Sequence, residues 1–155
     1  MTPKDGIVYD TAMRARLVAL DTNVVVAGLR SRRGASFRLL SLVGKATAFE
    51  IALSVPLVLE YEAVLKRQSK QIGLSHAEID GVLDYLCGVA SLHEVFYLWR
   101  PTLRDPKDDM VLELAVGAGC ESIITFNERD FEAASTFAVR IEGPRSFLKR
   151  IGEVK

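Results

Sequence analysis

The segment LVALDTNVVVAG, residues 17–28, constrains the fold more than any other stretch of the chain. Leu17–Leu20 is a short aliphatic run, Asp21-Thr22-Asn23 interrupts it, and Val24, Val25 and Val26 resume it. An isolated ionised carboxylate in an apolar interior loses on the order of several kcal/mol, or neutralises instead. Something must therefore keep Asp21 at the end of such a run. Asp, Thr and Asn all start turns and cap helices, which is the plainer explanation. A metal ion or a reaction is the sharper one. One acid does not decide between them, so its partners have to come from elsewhere in the chain.

Short apolar runs alternate with helical spacing along the sequence. Leu17–Leu20 reads as a strand, Phe37, Leu40 and Val43 space a helix that Gly44 would end, and Phe49–Leu53 reads as a second strand. Ser54 and Pro56 signal a helix start, with the helix running to about Lys66. Ser75-His76-Ala77-Glu78 fits a capping box ahead of Leu83 and Leu86. Residues 94–98 suit a strand. Asp105-Pro106 opens a helix through Ala118 that Gly119 closes. Residues 122–125 form a strand, 128–133 a helical turn, 137–141 a last strand, and Pro144 starts a final helix. Strands alternating with helices predict an α/β fold with a parallel sheet covered on both faces.

With 155 residues, 49% of them hydrophobic, the chain suits one domain with a proper core. Residues 1–16 read as a polar lead-in and 17–155 as that domain. Twenty basic residues balance twenty acidic ones, so the overall field favours neither nucleic acid nor membrane, although a local cluster would suffice. Cys87 and Cys120 match no ligand or redox spacing, which fits reduced thiols in a cytoplasmic protein. No apolar run approaches the roughly 18 residues that span a bilayer, and residues 1–16 lack an export signal.

Ligands of such folds bind outside the carboxyl ends of the strands, where Asp21 would lie. In the helix from Pro56, the stripe Leu57, Tyr61, Val64 and Leu65 faces the core, and Glu60 lies on it while Glu62 falls off. In the helix from Pro106, Val111, Leu114, Ala115 and Ala118 form the stripe; Asp108 continues it, with Asp109 beside it. Acids in a first turn also suit the helix dipole. Asn127 and Asp130 follow another strand. Each acid alone has a structural explanation. Together, Asp21, Glu60, Asp108 and Asp130 would meet at one sheet edge, where they repel. No basic residue recurs with them at a fixed spacing, and His76 and His93 lie on other polar stretches. A hard divalent cation, Mg²⁺ or Mn²⁺, is the economical neutraliser, and one or two such ions suit phosphodiester cleavage.

The order LDTNVVVAGL, SVPLVLEYEAVL and DPKDDMVLELAVGAGCESIITFNERDF resembles the PIN-domain ribonucleases, in particular the group that includes toxins of toxin–antitoxin pairs. The resemblance covers about residues 17–148. It implies a three-layer α/β/α sandwich around a parallel sheet, and a Mg²⁺- or Mn²⁺-dependent endonuclease acting on RNA. The family's acids carry over to Asp21, Glu60 and Asp108, with Asn23 in a supporting place and Asp109 as the competitor of Asp108. After the last motif strand the family carries Thr-x-Asp or Thr-x-Asn, and here it is Thr125-Phe126-Asn127. Asn127 can coordinate through its carbonyl but brings no charge, so a second metal would be held more weakly. Asp130 either supplies the missing carboxylate or caps the short helix.

Arg30, Arg32 and Arg33, or Lys66, Arg67 and Lys70, could meet RNA phosphates, ordinary solvated charge being the plainer explanation. Tyr97 and Trp99, near Arg100, could stack on a base or belong to the core. A phosphatase with Asp-x-Asp after its first strand fits poorly, because Asn23 cannot act as general acid. A catalytically inactive binding module is the other alternative. The resemblance also implies a homodimer and a small antitoxin protein that enters the acidic groove. Apolar residues around Leu39, Leu40 and Leu42, and around Leu83 and Leu86, would form those surfaces or belong to the core.

Overall fold

A computed structural model of the chain describes residues 16–45, 48–95, 103 and 105–154, with 133–136 in backbone only. Five strands, β1 (Arg16–Leu20), β2 (Phe49–Leu53), β3 (Ser91–Leu92), β4 (Ser122–Ile124) and β5 (Arg140–Glu142), form one sheet in the order β3-β2-β1-β4-β5. Every pairing is parallel, with Val18 opposite Ile51 on one side and Leu20 opposite Ile124 on the other. Parallel pairing needs long crossovers, and the helices supply them. These are α1 (Thr22–Arg30), α2 (Ala35–Leu42), α3 (Val55–Arg67), α4 (Ser69–Ile72), α5 (His76–Val89), α6 (Pro106–Ala118), a 3₁₀ helix (Glu128–Phe137) and α7 (Pro144–Arg150).

The chain moves from β1 outward to β3, then crosses back to β4 and on to β5. Right-handed crossovers put the helices of the first leg on one face of the sheet and those of the second leg on the other. Accordingly α6 packs on β1, β2 and β4 and against the 3₁₀ helix, while α2 packs against α1 and α7. The result is a three-layer α/β/α sandwich. Phe147 of α7 meets Phe49 of β2 edge to face, with ring centroids 5.3 Å apart. The direction of travel reverses between β1 and β4, so their carboxyl ends flank the crevice where open α/β sheets take ligands.

Local chemistry explains most boundaries. The Ser54 side chain accepts from Leu57 N, and Pro56 fits the first turn of α3. Ser75 and Glu78 close the expected capping box on α5. Asp105 accepts from Lys107 N at the start of α6, and Gly119 ends that helix in the left-handed region at φ 73°. Leu57, Tyr61, Val64 and Leu65 are buried as the spacing predicts.

The structure departs from the sequence expectations at several places. Val24, Val25 and Val26, assigned to no element from the sequence, lie in α1, which Asp21 caps. Burial of all three offsets the modest helix penalty of β-branched residues. In α2 the buried positions are Ser36 and Leu39 rather than Phe37, which is exposed. The strand expected over 94–98 is instead Ser91–Leu92, with His93 N donating to Leu53 O; residues 96–98 lie outside the described residues. The last strand starts at Arg140 instead of 137, because Phe137 still belongs to the 3₁₀ helix and Ala138 turns at φ 59°. Leu39, Leu83 and Leu86 are core, and Leu40 and Leu42 pack partly buried against it, so these residues offer no free apolar face. Along α6, Leu112 joins the buried set and Ala118 stays at its edge.

Candidate active site

Asp21 leaves β1 at the crevice and is only 8% exposed. Its backbone N–H donates to Ile124 O across the β1–β4 pair. One carboxylate oxygen accepts from Thr22 N at 2.9 Å, and the other from the Thr125 hydroxyl at 2.7 Å. The capping explanation of Asp21 and its place in a polar site therefore hold together: one oxygen caps α1, and the other faces the end of β4. Thr125 in turn accepts from Asn127 N, and Asn23 accepts from Phe126 N. Tyr61 of α3 donates its buried hydroxyl to Leu20 O, tying α3 to the last residue of β1.

Asp21, Asn23, Glu60, Asp105, Lys107, Asp108 and Asn127 line one cleft of about 540 Å³. Burial pushes the Asp21 carboxyl up, the bonds from Thr125 and Thr22 pull it down, and the charges of Asp130 and Glu60 push it up again. Burial, then Asp21, Asp105, Asp130 and Asp109, push Asp108 up to about 6. The acids thus feel one another across the cleft, and a cation would reverse both shifts.

The two neighbouring acids of α6 separate. Asp108 faces the cleft, whereas Asp109 is the more buried and accepts from Leu103 N at 2.8 Å. A helix turns about 100° per residue, so adjacent positions meet different surroundings. Asp130 is exposed and lies inside the 3₁₀ helix, its N–H donating to Asn127 O, so it does not sit at the capping position ahead of that helix. It stands outside the cleft lining but close enough to act on Asp21 and Asp108.

Among the basic residues, Arg30 and Arg67 line the cleft. Arg32, Arg33 and Lys70 are exposed, and Lys66 is paired with Glu62 and Asp80. Tyr97, Trp99 and Arg100 lie outside the described residues. Lys107, whose Nζ is 3.8 Å from Glu60, is a partner of the acids that sequence spacing did not expose; its position between Asp105 and Asp108 was the available signal. Among the described residues, no group of three or more His, Cys, Asp or Glu side chains is placed to hold a metal ion as they stand. The donors that face the cleft are nevertheless all oxygen, each Asp21 oxygen has one protein donor and a further lone pair, and the mutual repulsion wants a cation. Mg²⁺ keeps much of its water and takes one or two protein carboxylates, so this donor set fits it.

A family model described as the PIN domain matches residues 17–129, most of the chain. The chain belongs to the PIN-domain family. PIN domains are generally nucleases. Among solved structures, the fold is similar to a chain of the VapBC2 complex from Rickettsia felis bound to a DNA fragment from its promoter. The TM-score is 0.55 and the identity 16%, over 82% of this PIN domain chain and 98% of that one. At that identity the likeness speaks for the fold. No curated protein matches the chain. No described helix of this PIN domain is long and apolar enough to cross a membrane.

Proposed function

We propose that this PIN domain is a Mg²⁺- or Mn²⁺-dependent endoribonuclease and the toxin of a toxin–antitoxin pair. The observation that carries the nuclease reading is the buried Asp21 carboxylate at the β1–β4 crevice, facing Glu60 and Asp108 across one cleft. Asp21, Glu60 and Asp108 would hold the cation, with Asp130 and the Asn127 carbonyl as outer contributors and Asp109 left to its bond with Leu103 N. When bound, the ion supplies an activated water and neutralises charge at the phosphodiester. The chain's own residues do the rest. Thr125 fixes the rotation of Asp21 through its hydroxyl, and Asn23 holds the loop after β4 by accepting from Phe126 N. Lys107 screens Glu60, and Arg30 and Arg67 attract the RNA backbone to the cleft wall. No histidine lines the cleft, so proton transfer falls to water and carboxylates.

The toxin reading draws support from the likeness in fold to the VapBC2 chain, and it brings an antitoxin protein and a homodimer with it. Leu39, Leu83 and Leu86 are not the surfaces for either, since they are core. The test is cleavage of a single-stranded RNA with Mn²⁺, with chelator, and with an aryl phosphate as control. RNA cleavage that needs the metal, with no phosphatase activity, supports the nuclease. Binding without cleavage would favour the inactive module. A neighbouring short reading frame whose small DNA-binding product blocks cleavage would support the toxin.

A further inference from the structure

Lys107 stands where the stability of its own helix does not ask for it. It is the second residue of α6, beside Asp108, and its backbone N–H donates to the capping Asp105 side chain. The start of a helix carries positive partial charge, so an ammonium in the first turn opposes it, whereas Asp108 and Asp109 suit it. The charge of Lys107 is answered from another element. Its Nζ lies 3.8 Å from a carboxylate oxygen of Glu60, on α3. That separation makes an ion pair without a hydrogen bond. The Lys107 side chain is 58% exposed, and an exposed pair of this kind contributes little stability. The Glu60 side chain is only 15% exposed, and both residues line the cleft that Asp21 and Asp108 share. The ammonium therefore sits beside a carboxylate that a divalent ion would use. It does so on a flexible four-carbon stem, which can swing away without disturbing α6.

We propose that Lys107 is an internal counter-ion that a divalent cation displaces from Glu60, and that the released ammonium donates to a phosphate oxygen of the RNA in the cleft. This rests on the nuclease reading of that cleft. In the metal-free protein, Glu60 holds Lys107 back from RNA. Once Glu60 serves the cation, two positive charges beside one carboxylate repel, and the ammonium turns to the anion that remains, a non-bridging oxygen of the phosphodiester. Lys107 thus makes RNA binding depend on metal loading, beyond the charge that the ion itself brings.

The test compares wild type with Lys107→Met, which removes the charge and keeps a good helix former at this exposed position. Mn²⁺ binding to the RNA-free protein, read by electron paramagnetic resonance, tightens about threefold at low salt, the scale of one exposed ion pair no longer given up. Lys107→Arg returns it towards the wild-type value. In chelator, the affinity for a single-stranded oligoribonucleotide has the same log–log salt slope in wild type and Lys107→Met, because Glu60 holds the ammonium. Glu60→Gln frees it and steepens that slope by about 0.7, one phosphate contact on a single strand, and adding Lys107→Met cancels the gain. In saturating Mn²⁺, the salt dependence of kcat/KM for cleavage is flatter by about 0.7 in Lys107→Met than in wild type. A Lys107→Met protein that binds Mn²⁺ no more tightly than wild type would overturn the displacement. A salt slope that flattens equally in chelator and in Mn²⁺, or in neither, would overturn the release. Either failure leaves the nuclease reading standing as long as the wild type cuts RNA in Mn²⁺; a wild type that cuts none would overturn that reading and the phosphate contact with it.

Discussion

Asp21 serves two masters, and its substitutions separate them. Asn at this position keeps an oxygen for Thr22 N and an amide for the Thr125 hydroxyl while removing a charge that Glu60, Asp108 and Asp130 oppose. In chelator, Asp21→Asn should therefore melt at or above the wild-type temperature. Asp21→Ala loses the cap and should cost about 1–2 kcal/mol by chemical denaturation. Thr125→Val leaves a buried Asp21 oxygen without its donor, which costs about 1–3 kcal/mol and should slow cleavage as the carboxylate loses its orientation. Asp108 and Asp109 divide differently. Asp109→Ala strips the acceptor from Leu103 N and should destabilise by about 1–3 kcal/mol with metal-dependent cleavage retained, whereas Asp108→Asn should be stable and inactive.

The Asp108 shift also predicts a pH signature. Its carboxyl rises from 3.8 to about 6 in the fold, so between those values the native state binds more protons than the unfolded chain. Its contribution to stability therefore falls as pH rises through that window. Without metal, Asp108→Asn should match the wild type below pH 3.8, gain on it towards pH 6, and hold a constant advantage above. Urea melts across that range check it, and an advantage that shrinks as pH rises would contradict it.

At the scale of elements, helix starts and stops were legible because their signals are local. Ser54 with Pro56, Ser75 with Glu78, and Asp105-Pro106 with Gly119 each satisfy groups within a few residues. Helix α1 was not legible beyond its cap at Asp21, since three successive valines carry no helical spacing and their burial comes from distant parts of the chain. Asp108 and Asp109 differ by one step of helical rotation, and the bond from Leu103 N to Asp109 was not visible in their spacing. Thr125 was visible as a polar residue after a strand, but its bond to Asp21 spans 104 positions and follows only from β1 lying beside β4. The same holds for Tyr61, legible as core and not as the donor that fixes the end of β1. Tyr61→Phe should cost about 1 kcal/mol in stability, read by denaturant melts, with cleavage retained because no cleft ligand is lost.

For the molecule as a whole, the parallel alternation determines where chemistry can occur: reversal of strand order between β1 and β4 brings Asp21 and Thr125 together, and α3 and α6 add Glu60 and Asp108 from flanking helices. The acids repel in the free protein; under the proposed function a divalent cation would relieve them, which would make metal binding, stability and cleavage one linked equilibrium. The most direct measurement is the rate of single-stranded RNA cleavage as Mn²⁺ is titrated into wild-type and Asp21→Asn protein side by side. The wild type should cut only with metal and reach saturation, and Asp21→Asn should fall by more than the roughly 10–100-fold typical of residues that merely support a metal ligand. Cleavage by the wild type that persists in chelator, or a folded Asp21→Asn protein that cuts at the wild-type rate, would contradict the account.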